Sequence, residues 1–190
     1  MKSATHHRIL ECASQLFFTE GFATGVDRIV ADCGIAKMSL YAHFRSKEGL
    51  ICAVLHAVQA ALTDKIKAVT DEPHLSAAER REAVFHLLCH AMSDPYLRLG
   101  LGVRALLEFP QPRHPVHLGA LALDRLLLKE LGGEPDRSSA TESAQALLLI
   151  IKGCFLMSPM LGVTPSQELA RALGKAVLTP YAKLLSGVAS

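Results

Sequence analysis

The chain has no tryptophan, and aromatic residues make up only 5% of its 190 positions. Half of the residues are hydrophobic, so the core must be built mainly from aliphatic side chains. The formal net charge at pH 7 is +2, which is too small to indicate a nucleic-acid partner from bulk charge alone. The length is sufficient for one domain of ordinary size and a small appendage.

The cysteines lack the paired spacing of a disulfide framework or a zinc site. Most of them fall on apolar faces of predicted helices, which favours reduced thiols that pack as small hydrophobic groups in a cytoplasm. Core packing is also favoured over a redox role for Cys12 or Cys33, because a sensor thiol needs exposure and a low pKa. The five cysteines are Cys12, Cys33, Cys52, Cys89 and Cys154.

No targeting or membrane-spanning segment is evident. The N-terminal residues MKSATHHRILE have no apolar core of the kind that a signal peptide requires. The most apolar run, residues 144–161, is interrupted by Lys152, Gly153 and Pro159 and is shorter than the about 20 residues that span a membrane. We therefore expect a cytoplasmic protein without a membrane partner.

Apolar residues recur at helical spacing along the chain, and no segment alternates as a strand does, which predicts an all-α fold. Thr5 is predicted to cap a first helix that ends near Gly21, and Ser46 a long helix that reaches about Thr70. Pro180 should break the last helix. Further helices are predicted over residues 76–95, 96–109, 116–131 and 139–161 and from residue 164 onward. A capping box of Ser76 and Glu79 should open the first of these, and Pro165 should take the favoured first position of the last.

Residues 26–44, VDRIVADCGIAKMSLYAHF, predict two short helices joined by a tight turn. A capping box of Thr24 and Asp27 should open the first helix, and Gly34 should end it. Leu40 and Phe44 are four residues apart and should point inward, which leaves the other faces of the second helix to solvent. The major groove of DNA accepts a short helix held in this way.

The runs TGVDRIVADCG and IAKMSLYAHFRSKEGL resemble the DNA-binding domain of TetR-family (tetracycline-repressor-like) transcriptional regulators. The resemblance implies a three-helix helix-turn-helix head over residues 1–46 and a larger helical body for ligand binding and dimerisation over residues 47–190. It further implies a homodimeric repressor, not an enzyme, that needs no cofactor. A small-molecule effector would release such a repressor from a palindromic double-stranded DNA operator.

The predicted DNA-binding residues lie on the two short helices and at the start of the fourth helix. Lys37 and Met38 should enter the groove first and meet base edges. The remainder should face phosphates; for Ser39, Tyr41 and His43 this is what the resemblance implies, with His43 also able to meet a base. This chain departs from the family at two positions: it has Ala36 where the family often has Ser, and Met38 where the family often has a small residue. Both departures affect which operator sequence the protein would recognise. The full set is Thr24, Arg28, Lys37, Met38, Ser39, Tyr41, His43 and Lys47.

By the same resemblance, the body should enclose a cavity for an apolar ligand, with Arg104 and Glu108 as polar contacts. A surface ion pair between these two residues is the simpler alternative, because they are four apart on a helix. The expected lining is Cys89, Met92, Arg104, Leu107, Glu108, His117 and Met157. The last two long helices are apolar enough to form a two-fold interface. Its expected residues are Leu148, Ile151, Phe155, Leu169, Leu173 and Val177.

Two alternatives remain open. The first is a small-molecule-binding protein or enzyme whose head no longer acts on DNA. The second is a metal- or thiol-responsive regulator, because His86, Cys89 and His90 share one helix face and are chemically suited to zinc or copper. No dense ligand cluster surrounds these three residues, so one inward and one solvated histidine is the simpler interpretation.

Overall fold

The structure is a computed structural model that describes residues 4–94, 97–132 and 139–179. Within these residues the chain forms nine α-helices and no strand, which confirms the all-α prediction. The predicted break at Pro180 lies outside the described residues. The helices are α1 (Ala4–Glu20), α2 (Val26–Cys33), α3 (Lys37–Phe44), α4 (Lys47–Thr70), α5 (Ala77–Ala91), α6 (Gly100–Glu108), α7 (Pro115–Glu130), α8 (Ser139–Leu161) and α9 (Val163–Leu178).

Two predicted helix starts are confirmed by their capping hydrogen bonds. The Gly49 N–H donates to Ser46 Oγ at 2.9 Å, so Ser46 caps α4. At α5, the Glu79 N–H donates to Ser76 Oγ at 3.3 Å, and the Ser76 N–H donates to Glu79 Oε2 at 2.8 Å. The hydrogen bonds from Ser76 lower the pKa of Glu79, because they stabilise its carboxylate.

Other predicted boundaries are wrong. Thr5 lies inside α1 and does not cap it, because the helix already includes Ala4. The helix α9 begins at Val163 with Gly162 as its N-cap residue, so Pro165 is its third residue rather than its first. The helix α5 ends at Ala91, earlier than predicted.

The chain divides into two compact units. The first unit comprises Met1–Leu62 and Tyr96–Asp124, and the second comprises Thr63–Pro95 and Arg125–Ser190. The first unit extends beyond the head predicted over residues 1–46, because α6 packs against α1. Its core is aliphatic and phenylalanine-rich, and includes the fully buried Ile9, Phe17, Phe22, Ile29, Leu40, Leu50 and Leu55.

In the second unit, α8 and α9 pack along each other and α5 packs against both. The buried side chain of Gln167 in α9 hydrogen-bonds the C-terminal end of α5. Its Nε2 donates to the carbonyl oxygens of Cys89 at 3.0 Å and His90 at 3.2 Å, and to Ser93 Oγ at 3.0 Å. These carbonyls are among those that a helix end leaves without intrahelical partners, so a side chain from another helix satisfies them.

Two helices, α4 and α8, are long and apolar enough to cross a membrane by length and composition alone. The expectation that the run in α8 is too short for this is therefore wrong, since the helix has 23 residues. A helix in the core of a protein or in a subunit interface has the same properties, so the observation is weak evidence for a membrane.

A disulfide joins Cys12 of α1 to Cys33 of α2, with a Cα–Cα distance of 5.8 Å. This corrects the expectation that all five cysteines are reduced thiols. The two residues are 21 positions apart, and the packing of α1 against α2 brings them together. Cys52, Cys89 and Cys154 are free thiols.

Candidate nucleic-acid interface

The turn between α2 and α3 has the geometry that the sequence predicts. Gly34 has a φ of 60°, in the left-handed region that favours glycine. Its N–H donates to the Ala31 carbonyl at 3.2 Å, and the Ile35 N–H donates to the Val30 carbonyl at 3.1 Å. These bonds satisfy two of the last four carbonyls of α2, so the chain turns sharply and α3 begins at Lys37.

One side of α3 is fixed inside the first unit. Leu40 is 0% exposed and Phe44 is 6% exposed, as the sequence predicts for residues four apart. Ile29 of α2 is also fully buried. The opposite side of α3 is thereby held toward solvent.

The outward side of α3 carries a thioether, a phenol and an imidazole. Met38 is 85% exposed, and Tyr41 and His43 are also exposed. The His43 ring lies edge-on to the His6 ring of α1 at 5.7 Å, and His6 stacks on Phe44 at 4.6 Å. Aromatic packing at the end of α3 thus orients a side chain that can donate or accept a hydrogen bond.

Two of the cations predicted to contact DNA, Lys37 and Arg28, are already paired with carboxylates. Lys37 Nζ donates to Asp27 Oδ1 at 2.7 Å. Arg28 donates to Glu20 Oε1 at 3.2 Å and to Asp32 Oδ1 at 3.1 Å. The hydrogen bond and charge of Asp27 raise the pKa of Lys37, and those of Glu20, followed by the charge of Asp32, raise the pKa of Arg28. These exposed pairs contribute little stability, so a phosphate can replace either carboxylate at low cost.

The structure does not form the predicted capping box at α2. The N-cap residue of this helix is Gly25, and the Thr24 hydroxyl donates to the Gly21 carbonyl at 2.7 Å. Thr24 is only 8% exposed. A hydroxyl has a single proton to donate, so Thr24 is not placed to donate to a phosphate.

The remaining predicted contacts lie at the two ends of α3. Ser39 is half-buried in the first turn of α3. Lys47 is the first residue of α4 and is half-buried. Arg45 has a φ of 62° and connects the two helices, and its N–H donates to the Tyr41 carbonyl at 2.9 Å. The start of α4, with Lys47, therefore comes directly after the end of α3 in the chain.

Arg104 and Glu108 of α6 hydrogen-bond the backbone of the head at and just after the end of α1. Arg104 Nη1 donates to the Phe17 carbonyl at 2.9 Å and the Phe18 carbonyl at 3.2 Å, near the end of α1. Glu108 Oε2 accepts from the Phe22 N–H at 3.2 Å. The sequence offered these side chains as polar ligand contacts or as an ion pair. The structure forms the pair, with Arg104 Nε 3.7 Å from Glu108 Oε1, and places both side chains against the backbone at and just after the end of α1.

Position 21, just after α1, requires glycine because the Arg104 and Glu108 side chains contact the backbone there. Gly21 has a φ of 92°, and a Cβ there would lie 3.3 Å from Glu108 Oε1 and 3.4 Å from Arg104 Nη1. Arg98 makes a second connection to α1, donating to Ser14 Oγ at 2.8 Å and Gln15 Oε1 at 2.7 Å. Nothing in the spacing of these residues predicted such connections, because they join positions more than 80 apart.

The predicted ligand-binding residues are distributed over both units. Leu107 is 64% exposed, and His117 Nδ1 lies 2.8 Å from the Phe109 carbonyl; both belong to the first unit with Arg104 and Glu108. Cys89, Met92 and Met157 belong to the second unit, where the first two are buried and Met157 is 39% exposed.

Two surface cavities are lined by other residues. A cavity of about 390 Å³ in the second unit is lined by Glu82, Phe85, His86, Arg171, Ala172, Lys175, Leu178 and Thr179. A smaller cavity of about 200 Å³ in the first unit is lined by Leu10, Glu11, Ser14, Val54, Ala57, Val58, Ala61 and Arg98.

The alternative metal site is not assembled. No group of three or more His, Cys, Asp or Glu side chains within residues 4–94, 97–132 and 139–179 could hold a metal ion. His86 and His90 are exposed, whereas Cys89 is 0% exposed. Burial raises the pKa of the Cys89 thiol to about 11, so it is protonated and unreactive at neutral pH.

The apolar face expected at a dimer interface is present on α8 and α9, with partly different residues. Leu148 and Ile151 are only 7% and 2% exposed, because they face the interior of the second unit. Leu169 and Leu173 are 41% and 47% exposed, and Phe155 and Val177 are half-buried. Further exposed residues on the two helices are Leu149, Leu156, Met160, Leu161 and Val163.

Comparison with known proteins places the chain among regulators. The family model described as bacterial regulatory proteins, tetR family, matches residues 9–54, from α1 into α4. The uncharacterized HTH-type transcriptional regulator YerO of Bacillus subtilis (strain 168) is 33% identical over 66 residues, which are 34% of this chain and 23% of YerO.

Two solved structures extend the likeness to the whole fold. A TetR-family transcriptional regulator from Streptomyces coelicolor has 25% identity and a TM-score of 0.80, over 92% of this chain and 94% of that protein. A TetR transcriptional regulator from Legionella pneumophila has 21% identity and a TM-score of 0.77, over 92% and 98% of the two chains.

The chain spans less than a quarter of the length of the curated relative that it matches. The family model matches the head, whereas the structural matches include the body. The matched proteins are described as transcriptional regulators rather than enzymes. The chain is thus similar to the tetR family of bacterial regulatory proteins, through the matched residues 9–54 of the head and through the shared fold.

Proposed function

We propose that the protein is a cytoplasmic transcriptional repressor that binds double-stranded DNA through α3. The observation that carries this proposal is the outward side of α3, where Met38, Tyr41 and His43 are exposed between Lys37 and Lys47. Neutral side chains in the middle of a recognition helix suit base edges, and cations at its ends suit phosphates. The proposed contacts are Arg28, Lys37, Met38, Ser39, Tyr41, His43 and Lys47.

The carboxylate partners of Lys37 and Arg28 fit this role. Binding DNA exchanges Asp27 for a phosphate at Lys37, and Glu20 or Asp32 for a phosphate at Arg28. Before DNA binds, the carboxylates offset the positive charges of Lys37 and Arg28, which limits nonspecific attraction of the protein to DNA. Met38 can lie against a thymine methyl group, so it bears on sequence preference rather than on overall affinity.

The protein is proposed to act as a homodimer on a palindromic operator. The exposed leucines and methionines of α8 and α9 form an apolar surface of the kind that a monomer rarely leaves in water. A two-fold contact covers the same surface on both subunits. Such a dimer presents two recognition helices to two half-sites about 34 Å apart.

A small apolar effector is proposed to release the repressor. Arg104 hydrogen-bonds the backbone near the end of α1 and Glu108 that of Phe22 just after it, and a ligand that draws these side chains away breaks those bonds. A ligand that recruits them therefore loosens α1, on which the head is built, and shifts the equilibrium by its differential affinity for the two states. We therefore expect Arg104→Ala to weaken DNA binding even without an effector. Unchanged DNA binding by that variant would exclude α6 as the link between the effector and the head.

A gel-shift assay with the region upstream of the protein's own gene tests DNA binding. Lys47→Ala should weaken binding to all sequences and reduce the salt dependence by about one phosphate contact, whereas Met38→Ala should change the preference among operators. Glu72→Gln, at an exposed position before α5, is the control. Absence of any binding at low salt would favour the alternative of a small-molecule-binding protein with an inactive head.

A further inference from the structure

The disulfide between Cys12 and Cys33 takes no part in the proposed DNA contacts. It connects the middle of α1 with the last residue of α2. Gly34, Ile35 and Ala36 are then the only residues between the bridge and Lys37, where α3 begins. The bridge therefore lies beside the turn that positions the recognition helix.

Small reagents can reach this bridge. Cys12 is half-buried, Cys33 is 8% exposed, and the Asp32 carboxylate lies 3.9 Å from Cys12 Sγ, so the pair is at a polar edge of the head. Cys12 and Cys33 lie within disulfide distance of each other, whereas Cys52, Cys89 and Cys154 form no such pair, so oxidation to a disulfide is open to Cys12 and Cys33. Burial also raises the pKa of the Cys52 and Cys154 thiols, and that of Cys89 to about 11, which disfavours their reactive thiolate forms.

We propose that Cys12 and Cys33 form a reversible oxidation site, closed by a hydroperoxide and opened by a dithiol. The more exposed Cys12 sulfur attacks the peroxide, the O–O bond breaks, and a sulfenic acid and water or an alcohol are formed. The Cys33 sulfur then attacks the sulfenic sulfur, the S–O bond breaks, and water leaves with the thiol proton. In reverse, the dithiol is oxidised to its own disulfide and both cysteines are reduced.

The consequence of closure rests on the proposed function of the head. The bridge ties α2 to α1 while α3 keeps its exposed side, so the closed head remains able to bind DNA and opens less readily. In a compartment that keeps thiols reduced, such a bridge is transient and reports an oxidant. The site therefore protects the recognition helix during oxidation instead of releasing the protein from DNA.

Thiol counting and thermal melting of the full chain test the site without DNA. After treatment with hydrogen peroxide, two of the five cysteines should resist alkylation under denaturing conditions, and dithiothreitol should restore them. The closed form should melt about 6–12 °C above the reduced form. Cys12→Ser and Cys33→Ser should each abolish both effects, and Cys52→Ser should abolish neither. Five alkylatable thiols after peroxide, protection of other cysteines, or equal melting temperatures would overturn the proposal.

Binding to a random-sequence 30-base-pair duplex at low salt tests the consequence. The closed form should bind at least as tightly as the reduced form, and loss of binding only on closure would overturn the protective role. If neither form binds while thiol counts and melting change as expected, the oxidation site stands and the proposed function fails.

Discussion

At the scale of single residues, the candidate interface contains carboxylates that pair with its cations. The sequence singled out Lys37 and Arg28, and the structure adds Asp27, Glu20 and Asp32 as their partners. The pair of Arg28 and Asp32 has the helical spacing of four residues, so the sequence could have indicated it. The pair of Lys37 and Asp27 joins two helices across a turn and depends on how they pack.

Replacement of Asp27 by Asn should raise the affinity for DNA several-fold. The variant frees Lys37 and removes a negative charge from beside the phosphates. The logarithm of the affinity should also fall more steeply with the logarithm of salt concentration, by about one phosphate contact. Fluorescence anisotropy over a salt series measures both quantities, with Glu72→Gln as the control for net charge. An affinity equal to that of the control would show that Lys37 does not meet DNA.

Glu79 gives the stability a pH dependence of known sign. Its pKa is lower in the folded chain than in the unfolded chain, because Ser76 hydrogen-bonds its carboxylate. The contribution of Glu79 is therefore complete above the ordinary glutamate pKa and is lost as the pH falls through the lowered folded-state value. The urea midpoint of the wild type should exceed that of Glu79→Gln at pH 7, and the difference should shrink below pH 4.5. A pH-independent difference would contradict this assignment.

At the scale of helices, the close approach of α5 and α9 depends on a missing side chain. Gly174 lies against the ring of the fully buried Phe85, and a Cβ at position 174 would overlap that ring. Gly174→Ala should therefore lower the free energy of unfolding by about 1–3 kcal/mol. Gly119→Ala is the matched control in α7, where the nearest atom to the new Cβ is Leu55 Cδ1 at 3.5 Å. The control should be neutral or stabilising by about 0.5–1 kcal/mol in urea denaturation.

The helices and the turn of the head followed from local rules, but several contacts between helices did not. Gly34, Ser46 and the pair of Ser76 and Glu79 act within a few residues of one another, so the sequence contains their whole signal. The bridge from Cys12 to Cys33 depends on helix packing, which spacing along the chain does not encode. The same reason explains why Arg104 and Glu108 were expected to contact a ligand and why the contact of Gln167 with α5 was not predicted.

At the scale of the whole molecule, the apolar surface of α8 and α9 is the feature that a single chain leaves unexplained. The sequence correctly indicated that α8 is apolar on nearly all sides. It did not distinguish Leu148 and Ile151, which face inward, from Leu149 and Leu156, which face outward. That distinction depends on the angle at which α9 and α5 pack against α8, and periodicity does not give this angle.

The double substitution of Leu149 and Leu156 by Glu should convert the protein to a monomer. Both side chains are largely exposed, at 72% and 56%, so the subunit should fold as before. A two-fold interface contains each substitution twice, and four buried carboxylates would strongly oppose its formation. Sedimentation at micromolar concentration measures the mass, and Leu107→Glu, at a 64% exposed position on α6, is the control.

The same double variant separates dimerisation from recognition. A monomer still carries an intact α3, so it should bind a single half-site as the wild type does. It should bind a palindromic operator more weakly than the wild type by about 10²-fold or more, because the second recognition helix is no longer held beside the first. Circular dichroism should match the wild type, which excludes unfolding as the cause. A variant that remains dimeric would place the interface elsewhere, and a monomer with undiminished affinity for the palindrome would show that operator binding does not require the dimer.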